Sequence, residues 1–147
     1  RYTSTSDRSG EDPFTPNSSI RFLFGYQRQP WEDATLGLQY FADSMLNYAE
    51  YERALPAGFP KEEELKDLIG LRFTQFLKYQ TLKLSFFSFY SPADEDYFIN
   101  PEARYNFTDN LWAALGLNIF GGGKSPAAQF GMLDKNDNLY LQARYEF

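Results

Sequence analysis

Hydrophobic and polar residues alternate along most of the chain. In the segment 20–28, for example, every even position from 20 to 26 is apolar or aromatic. Successive side chains of a β-strand point to opposite faces of a sheet, so alternation with a period of two predicts strands that present one apolar face. Seven strands are predicted in this way, at residues 20–28, 34–43, 68–79, 81–90, 97–107, 111–120 and 139–147.

Two residues depart from this pattern. Gln75 falls on the apolar side of the third predicted strand, and Pro101 in the fifth strand has no backbone N–H to donate to a neighbouring strand. The alternation continues on both sides of each residue, so both segments are still predicted to be strands.

The connections between the predicted strands alternate in length. Short links lie at 29–33, around Gln80 and at 108–110, whereas longer links lie at 3–19, 44–67, 91–96 and 121–138. Outer-membrane barrels of bacteria have short periplasmic turns and longer extracellular loops, and their strands have about the length seen here. We therefore predict an all-β fold, an antiparallel transmembrane β-barrel of meander topology, with about seven complete strands visible.

The number of predicted strands bears on how the barrel closes. Bacterial single-chain barrels have an even number of strands, and an open sheet in lipid would leave unpaired backbone groups at both edges. Arg1 and Tyr2 are expected to be the end of an eighth strand. We expect residues 1–147 to form one barrel segment, the C-terminal part of a larger even-stranded barrel that an upstream segment or a partner protein completes.

The last predicted strand carries a recognisable motif. Its apolar face runs through Leu139, Leu141 and Tyr145 to a terminal Phe147. This motif resembles the C-terminal insertion signal of outer-membrane barrels, which the barrel-assembly machinery recognises. The stretches 68–98, 101–122 and 130–147 also resemble the C-terminal half of a family of large proteobacterial porin-like barrels. The resemblance implies an outer-membrane location, a periplasmic C-terminus and more barrel before Arg1.

Composition narrows the class of protein. The chain has a net charge of −6 and contains neither Cys nor His. Without Cys there is no thiolate metal site, and without His there is no Ser-His pair, so we predict a protein that is not an enzyme and that holds no metal or cofactor. An acidic chain is unsuited to nucleic acid, because phosphates require basic side chains. The mean hydropathy of −0.53 does not argue against a barrel, because alternation averages apolar with polar residues.

If the apolar faces point toward lipid, the opposite faces line an interior. The charged and amide side chains predicted to line it are Arg21, Gln39, Asp43, Arg72, Lys78, Lys83, Glu102, Arg104, Arg144 and Glu146. Basic residues predominate in this set, and charged side chains of one sign lower the barrier to the opposite ion in a pore. Alternatively, these charges pair across neighbouring strands, for example Arg104 with Glu146, and only satisfy a wet or packed interior.

Acidic residues collect in the predicted outer loops, for example at 62–64 and 94–96. Carboxylates of this kind could hold Ca²⁺ beside lipopolysaccharide phosphates, but solvated loop charges are the simpler interpretation. The longest predicted loop, 44–67, accommodates a short helix before Pro56. It is long enough either to fold inward as a constriction or to lie over the rim.

Two functions fit this interpretation. The leading hypothesis is an outer-membrane channel that allows passive passage of small polar or anionic solutes. The alternative is a non-conducting scaffold or binding barrel, such as a partner-protein sheath, an adhesin or a receptor. A membrane lipase or acyltransferase is a weaker hypothesis, because those families rely on His. In each case the expected partners are the lipid bilayer, lipopolysaccharide and the barrel-assembly machinery.

Overall fold

The predicted strands form one antiparallel sheet in the computed structural model of the protein, which describes residues 1–5, 9–12, 15–59, 61–123 and 128–147. Its strand order follows the chain from β1 to β8. The strands are β1 Tyr2–Thr3, β2 Ser19–Arg28, β3 Ala34–Met45, β4 Leu65–Leu77, β5 Leu82–Ser91, β6 Asp96–Asn106, β7 Leu111–Gly122 and β8 Asn138–Tyr145. A helix α1, Tyr48–Ala54, follows β3, and a 3₁₀ helix, Gly131–Asn136, precedes β8. The all-β antiparallel meander is therefore confirmed.

The sheet is open. Within the described ranges β8 pairs with β7 alone, and β1 pairs with β2 alone. The short strand β1 lies where the end of an eighth strand was expected: Tyr2 pairs with Ile20, and Arg21 donates its backbone N–H to the carbonyl of Arg1 at 2.7 Å. A closed barrel is not observed, so the transmembrane part of the prediction is not confirmed.

Two predicted strands end two residues earlier than the alternation indicated, β4 at Leu77 and β8 at Tyr145. β4 ends at Leu77, because Lys78, Tyr79 and Gln80 have positive φ angles of 50°, 56° and 66° and form a turn. Residues in this left-handed region cannot continue an extended strand. Lys78 was therefore wrongly placed on a strand.

The two ends of the sheet differ in their connections. Three short links, 29–33, 78–81 and 107–110, lie at one end, which we call the turn end. The opposite end, the loop end, carries the connections 46–64 and 123–137. The link between β5 and β6, predicted to be one of the longer loops, consists only of residues 92–95. Parts of the predicted loops, at 6–8, 13–14, 60 and 124–127, lie outside the described residues.

The pairing places the alternating residues on two distinct faces. One face, the apolar face, carries a continuous surface of aliphatic and aromatic side chains from β2 to β8. Many of these side chains are solvent-exposed: the exposed fraction is 65% for Phe24, 49% for Leu115 and 76% for Leu141. In the described part of the chain, the buried apolar side chains are only Ala34, Ala42, Ala114, Ala128 and Phe130. Among the residues that the structure describes, the sheet therefore has no conventional hydrophobic core beneath its apolar face.

The loop-end segments fold over the opposite face, which we call the polar face. Tyr51 of α1 lines a cavity together with Arg21 and Asp43, which are polar-face residues of β2 and β3. Before the 3₁₀ helix, the ring of Phe130 stacks on Phe89, a polar-face residue of β5, with ring centroids 6.0 Å apart. Both helices consequently lie on the side that already carries the polar groups.

The strands are staggered in a constant sense. A line of paired residues runs from Tyr26 through Leu38, Leu71, Ser88 and Ile99 to Ile119. Tyr26 lies two residues from the turn end of β2, whereas Ile119 lies eight residues from the turn end of β7. The shift of about one residue per strand corresponds to a strand tilt of about 40°, at about 3.3 Å per residue and about 4.8 Å between strands. Such a stagger is what a sheet needs in order to roll into a barrel.

Candidate functional site

The polar face gathers most of the side chains that the sequence predicted for an interior. Eight of them are strand residues with this orientation: Arg21, Gln39, Asp43, Arg72, Lys83, Glu102, Arg104 and Arg144. Glu146 follows the end of β8, and Lys78 lies in the turn after β4. The face is therefore the candidate functional site, and Lys78 is not part of it.

Some charges on the polar face neutralise one another. Arg21 Nε lies 2.8 Å from Asp43 Oδ2 across the β2–β3 pair, and Arg144 Nε lies 3.0 Å from Glu146 Oε1. The first contact agrees with the alternative that charges pair between neighbouring strands. The second joins two residues near the end of β8 rather than the strands that the sequence suggested.

A hydrogen-bonded network crosses β6, β7 and β8. Tyr140 donates its hydroxyl to Glu102 Oε2 at 2.8 Å, and Asn100 Nδ2 donates to Asn118 Oδ1 at 3.0 Å and to the Tyr140 oxygen at 3.2 Å. Asn118 in turn donates to Asn138 Oδ1 at 2.9 Å. The network was not predicted, although the recurrence of Asn on the polar side of successive strands is a signal that could have indicated it.

Arg104 is held in place by its neighbours on the polar face. Its guanidinium carbon lies 4.0 Å from the ring centroid of Trp112, a cation–π contact, and its Nε donates to Asn106 Oδ1 at 3.2 Å. These contacts orient the guanidinium without neutralising it.

Arg72 and Lys83 carry charges that no carboxylate of the described chain neutralises within ion-pair distance. Arg72 borders a groove of about 310 Å³ together with Gln39, Phe87 and three polar-face glycines, Gly25, Gly37 and Gly70. With Arg104, these residues leave the centre and turn end of the polar face positively charged.

A cluster of phenylalanines occupies the loop end of the same face. Phe98 stacks on Phe120 with centroids 4.8 Å apart and on Phe130 at 6.1 Å. Asp96 fixes the segment that carries Phe130, because its buried Oδ2 accepts backbone N–H groups from Phe130 at 2.6 Å and Gly131 at 3.2 Å. The sequence placed Asp96 among solvated loop acids, and that interpretation is wrong for this residue.

A second cavity lies at the loop end over β2 and β3. Its volume is about 460 Å³, and it is bounded by strand residues of the polar face, by residues 15–17 and by the 46–64 connection. The floor contains the Arg21–Asp43 ion pair, and the wall contains Tyr51, Leu55 and Phe59. The long loop predicted at 44–67 thus lies over the loop end of the polar face.

The loop acids show one clear electrostatic effect. Burial raises the pKa of Asp94, and the charge of Asp96 raises this pKa further. Among the residues that the structure describes, no cluster of three or more acidic side chains could hold a metal ion. Neither helix in these residues has the length and hydropathy of a membrane-spanning helix.

The residues of the C-terminal motif lie on the apolar face. Leu139, Leu141 and Tyr145 are 66%, 76% and 62% exposed, and Phe147 follows the strand with its ring centroid 6.3 Å from that of Tyr145.

Comparisons with known proteins gave no relative: no protein-family model matches the chain, and no curated protein and no solved structure matches it.

Proposed function

We propose that the protein is an outer-membrane channel, with the apolar face against lipid and the polar face lining the passage. The observation that carries this proposal is the sidedness of the fold. The chain folds its helices onto the polar face and leaves an exposed apolar surface across seven strands. A protein surrounded by water would be more stable if its helices covered the apolar face instead, because that would remove apolar surface from water. Large exposed apolar surfaces are typical of contacts with a membrane or with a partner protein.

The dimensions of the apolar face support a position in the bilayer. On β6 the face begins at Tyr97 and ends at Phe107, just after the strand. Ten residue steps cover about 33 Å along a strand, and a tilt of about 40° reduces this to about 25 Å, the height of the apolar band of outer-membrane barrels. Tyrosine and phenylalanine at both ends are suited to the membrane interfaces.

The direction of the edge strands defines what would close the barrel. β2 and β8 run in the same direction, since both pass from the loop end to the turn end. An antiparallel barrel therefore needs an odd number of strands between them, and β1, which runs the other way beside Ile20, is the first of these. We infer that an upstream segment or a partner protein pairs with the remaining edge of β2 and with β8.

The charge of the polar face supports the passage of anions. Arg72, Lys83 and Arg104 face the same side without an ion-pair partner among the described residues. Unneutralised cations along a passage concentrate anions and repel cations.

The orientation proposed for the protein places the turn end and Phe147 in the periplasm. The loop-end cavity would then open to the outside, close to lipopolysaccharide, and β8 would be the strand that the assembly machinery binds.

The phenylalanine cluster favours a second function. Phe87, Phe89, Phe98 and Phe120 form an apolar patch on an otherwise polar face, with Phe130 stacked on it. Such a patch suits a non-conducting barrel that encloses or binds an apolar segment of a partner protein. Conductance separates the two proposals.

The test is single-channel recording of the full-length protein in planar bilayers. We expect open channels whose reversal potential in a salt gradient shows anion preference. The double substitution Arg72→Gln and Arg104→Gln should reduce this preference severalfold, because it removes two of the unneutralised cations. Lys78→Gln is the matched control and should change little, because Lys78 lies outside the polar face. Absence of conductance, or a preference for cations in the unaltered protein, would contradict the proposal.

A further inference from the structure

Two cations face each other directly on the polar face. Lys83 of β5 and Arg104 of β6 are paired residues of adjacent strands, with side chains on the same side. Directly opposed residues of this kind have Cβ atoms about 5 Å apart, and like charges at that distance destabilise the pair. A negative charge placed between the two side chains would remove this destabilisation.

No carboxylate of the described chain lies within ion-pair distance of either cation. Glu102 lies two positions from Arg104, but its carboxylate accepts the hydroxyl of Tyr140 at 2.8 Å, toward β8. Elsewhere in the described chain Asp43 and Glu146 are paired with Arg21 and Arg144, and Asp96 accepts backbone N–H groups at the loop end. Lys83 has Phe76 as its paired residue on its other side, which offers no charge.

The two cations differ in how firmly their neighbours hold them. Arg104 is oriented by the ring of Trp112 and by Asn106, which accepts from its Nε, so its two terminal nitrogens remain available as donors. Lys83 adds the compact point charge of an ammonium group on a four-carbon stem. A fixed planar guanidinium beside a mobile ammonium is a donor set suited to the oxygens of phosphate, sulfate or carboxylate groups.

We propose that Lys83 and Arg104 form a binding site for a small oxyanion, near the turn end of the polar face. The anion lies between the two side chains and removes their mutual repulsion. This proposal rests on the proposed function only in placing the site inside a passage. There the two cations would lie close to the periplasmic end of the passage. The binding itself requires only the sheet.

The test uses sulfate as the probe and the full-length protein in micelles of a non-ionic detergent, which has no anionic group of its own to compete for the site. The midpoint of thermal unfolding is compared in sodium sulfate and in sodium chloride of equal ionic strength. Ligand binding to the folded state raises this midpoint, in addition to the general stabilising effect of sulfate on proteins. The control Lys78→Gln removes one positive charge but keeps both residues of the proposed site, so it should respond to sulfate as the unaltered protein does. Lys83→Gln should lose the additional sulfate response, and titration calorimetry should show about tenfold weaker sulfate binding.

Two further readouts distinguish a binding site from a structural role. In chloride, Lys83→Gln should unfold at the same or a higher temperature than the unaltered protein, because it relieves the repulsion. Lys83→Arg should retain the sulfate response. An undiminished sulfate response in Lys83→Gln, or an equal loss in Lys78→Gln, would overturn the proposal. If Lys83→Gln fails to fold, a lost response in the charge-retaining Lys83→Arg would also overturn it. None of these measurements depends on conductance, so the oxyanion site and the channel can fail separately.

Discussion

Gly116 leaves room for an aromatic ring on the polar face. The ring of Tyr140, its paired residue on β8, lies over the backbone of Gly116, and an added Cβ would overlap the ring and hydroxyl. This position lets Tyr140 reach Glu102 and Asn100 on the strand beyond. Aromatic residues placed over strand glycines are a recognised way of fixing register. Because Gly116 has no side chain, Tyr140 can form hydrogen bonds that connect three strands.

The substitution Gly116→Ala should displace Tyr140 and break its hydrogen bonds to the neighbouring strand. We expect a loss of about 1–3 kcal/mol in the free energy of unfolding, measured by urea denaturation in micelles. Gly37→Ala is the matched control, because an added Cβ there meets its nearest atom, Arg72 Cβ, at 3.8 Å. Equal stability of the two variants would refute this role of Gly116.

Single residues also show where alternation is insufficient as a guide. Gln75 looked like an error in the apolar pattern, yet its side-chain oxygen accepts the indole N–H of Trp31 at 2.5 Å and its amide donates to the Phe76 carbonyl at 2.8 Å. The partner Trp31 belongs to a turn 44 residues away in sequence. No local pattern could have identified it, because strand pairing brings the two residues together.

At the level of elements, the strands could be predicted and their ends could not. A period of two reports which residues share a face, and all seven predicted segments are strands. The end of β4 depends on three consecutive residues with positive φ, and none of them is Gly or Asn, the usual signals for that conformation. The 3₁₀ helix was missed for a similar reason. It is fixed by long-range contacts to Asp96 rather than by a helical pattern of its own.

The anchor of this element can be tested directly. Asp96→Ala removes the acceptor for the backbone N–H groups of Phe130 and Gly131, so the segment should separate from the sheet. We expect faster hydrogen exchange in a peptide covering 128–136, because the local opening free energy falls. Asp134→Ala, a change of the same type within the 3₁₀ helix, serves as the control. Unchanged exchange in Asp96→Ala would show that the phenylalanine stacking suffices.

At the level of the whole molecule, the fold follows from one rule applied to every strand. The same alternation that defines the strands collects apolar residues on one face and charged residues on the other. Only two charged strand residues, Arg28 and Asp67, fall on the apolar face, and each lies at or near the end of its strand. The sequence does not predict which face of the sheet the loop segments cover. Because they cover the polar face, the apolar face is the one that stays exposed.

The central claim is that the apolar face contacts lipid, and β8 offers the most direct test. Residues 1–147 contain no Cys, so single cysteines can be introduced at each position from 138 to 145 and labelled with a fluorophore after reconstitution in bilayers. We predict quenching by brominated lipids at positions 139, 141, 143 and 145, and quenching by aqueous iodide at the positions between them. Quenching without this period of two, or iodide access at Leu141→Cys equal to that at Gln142→Cys, would contradict the account.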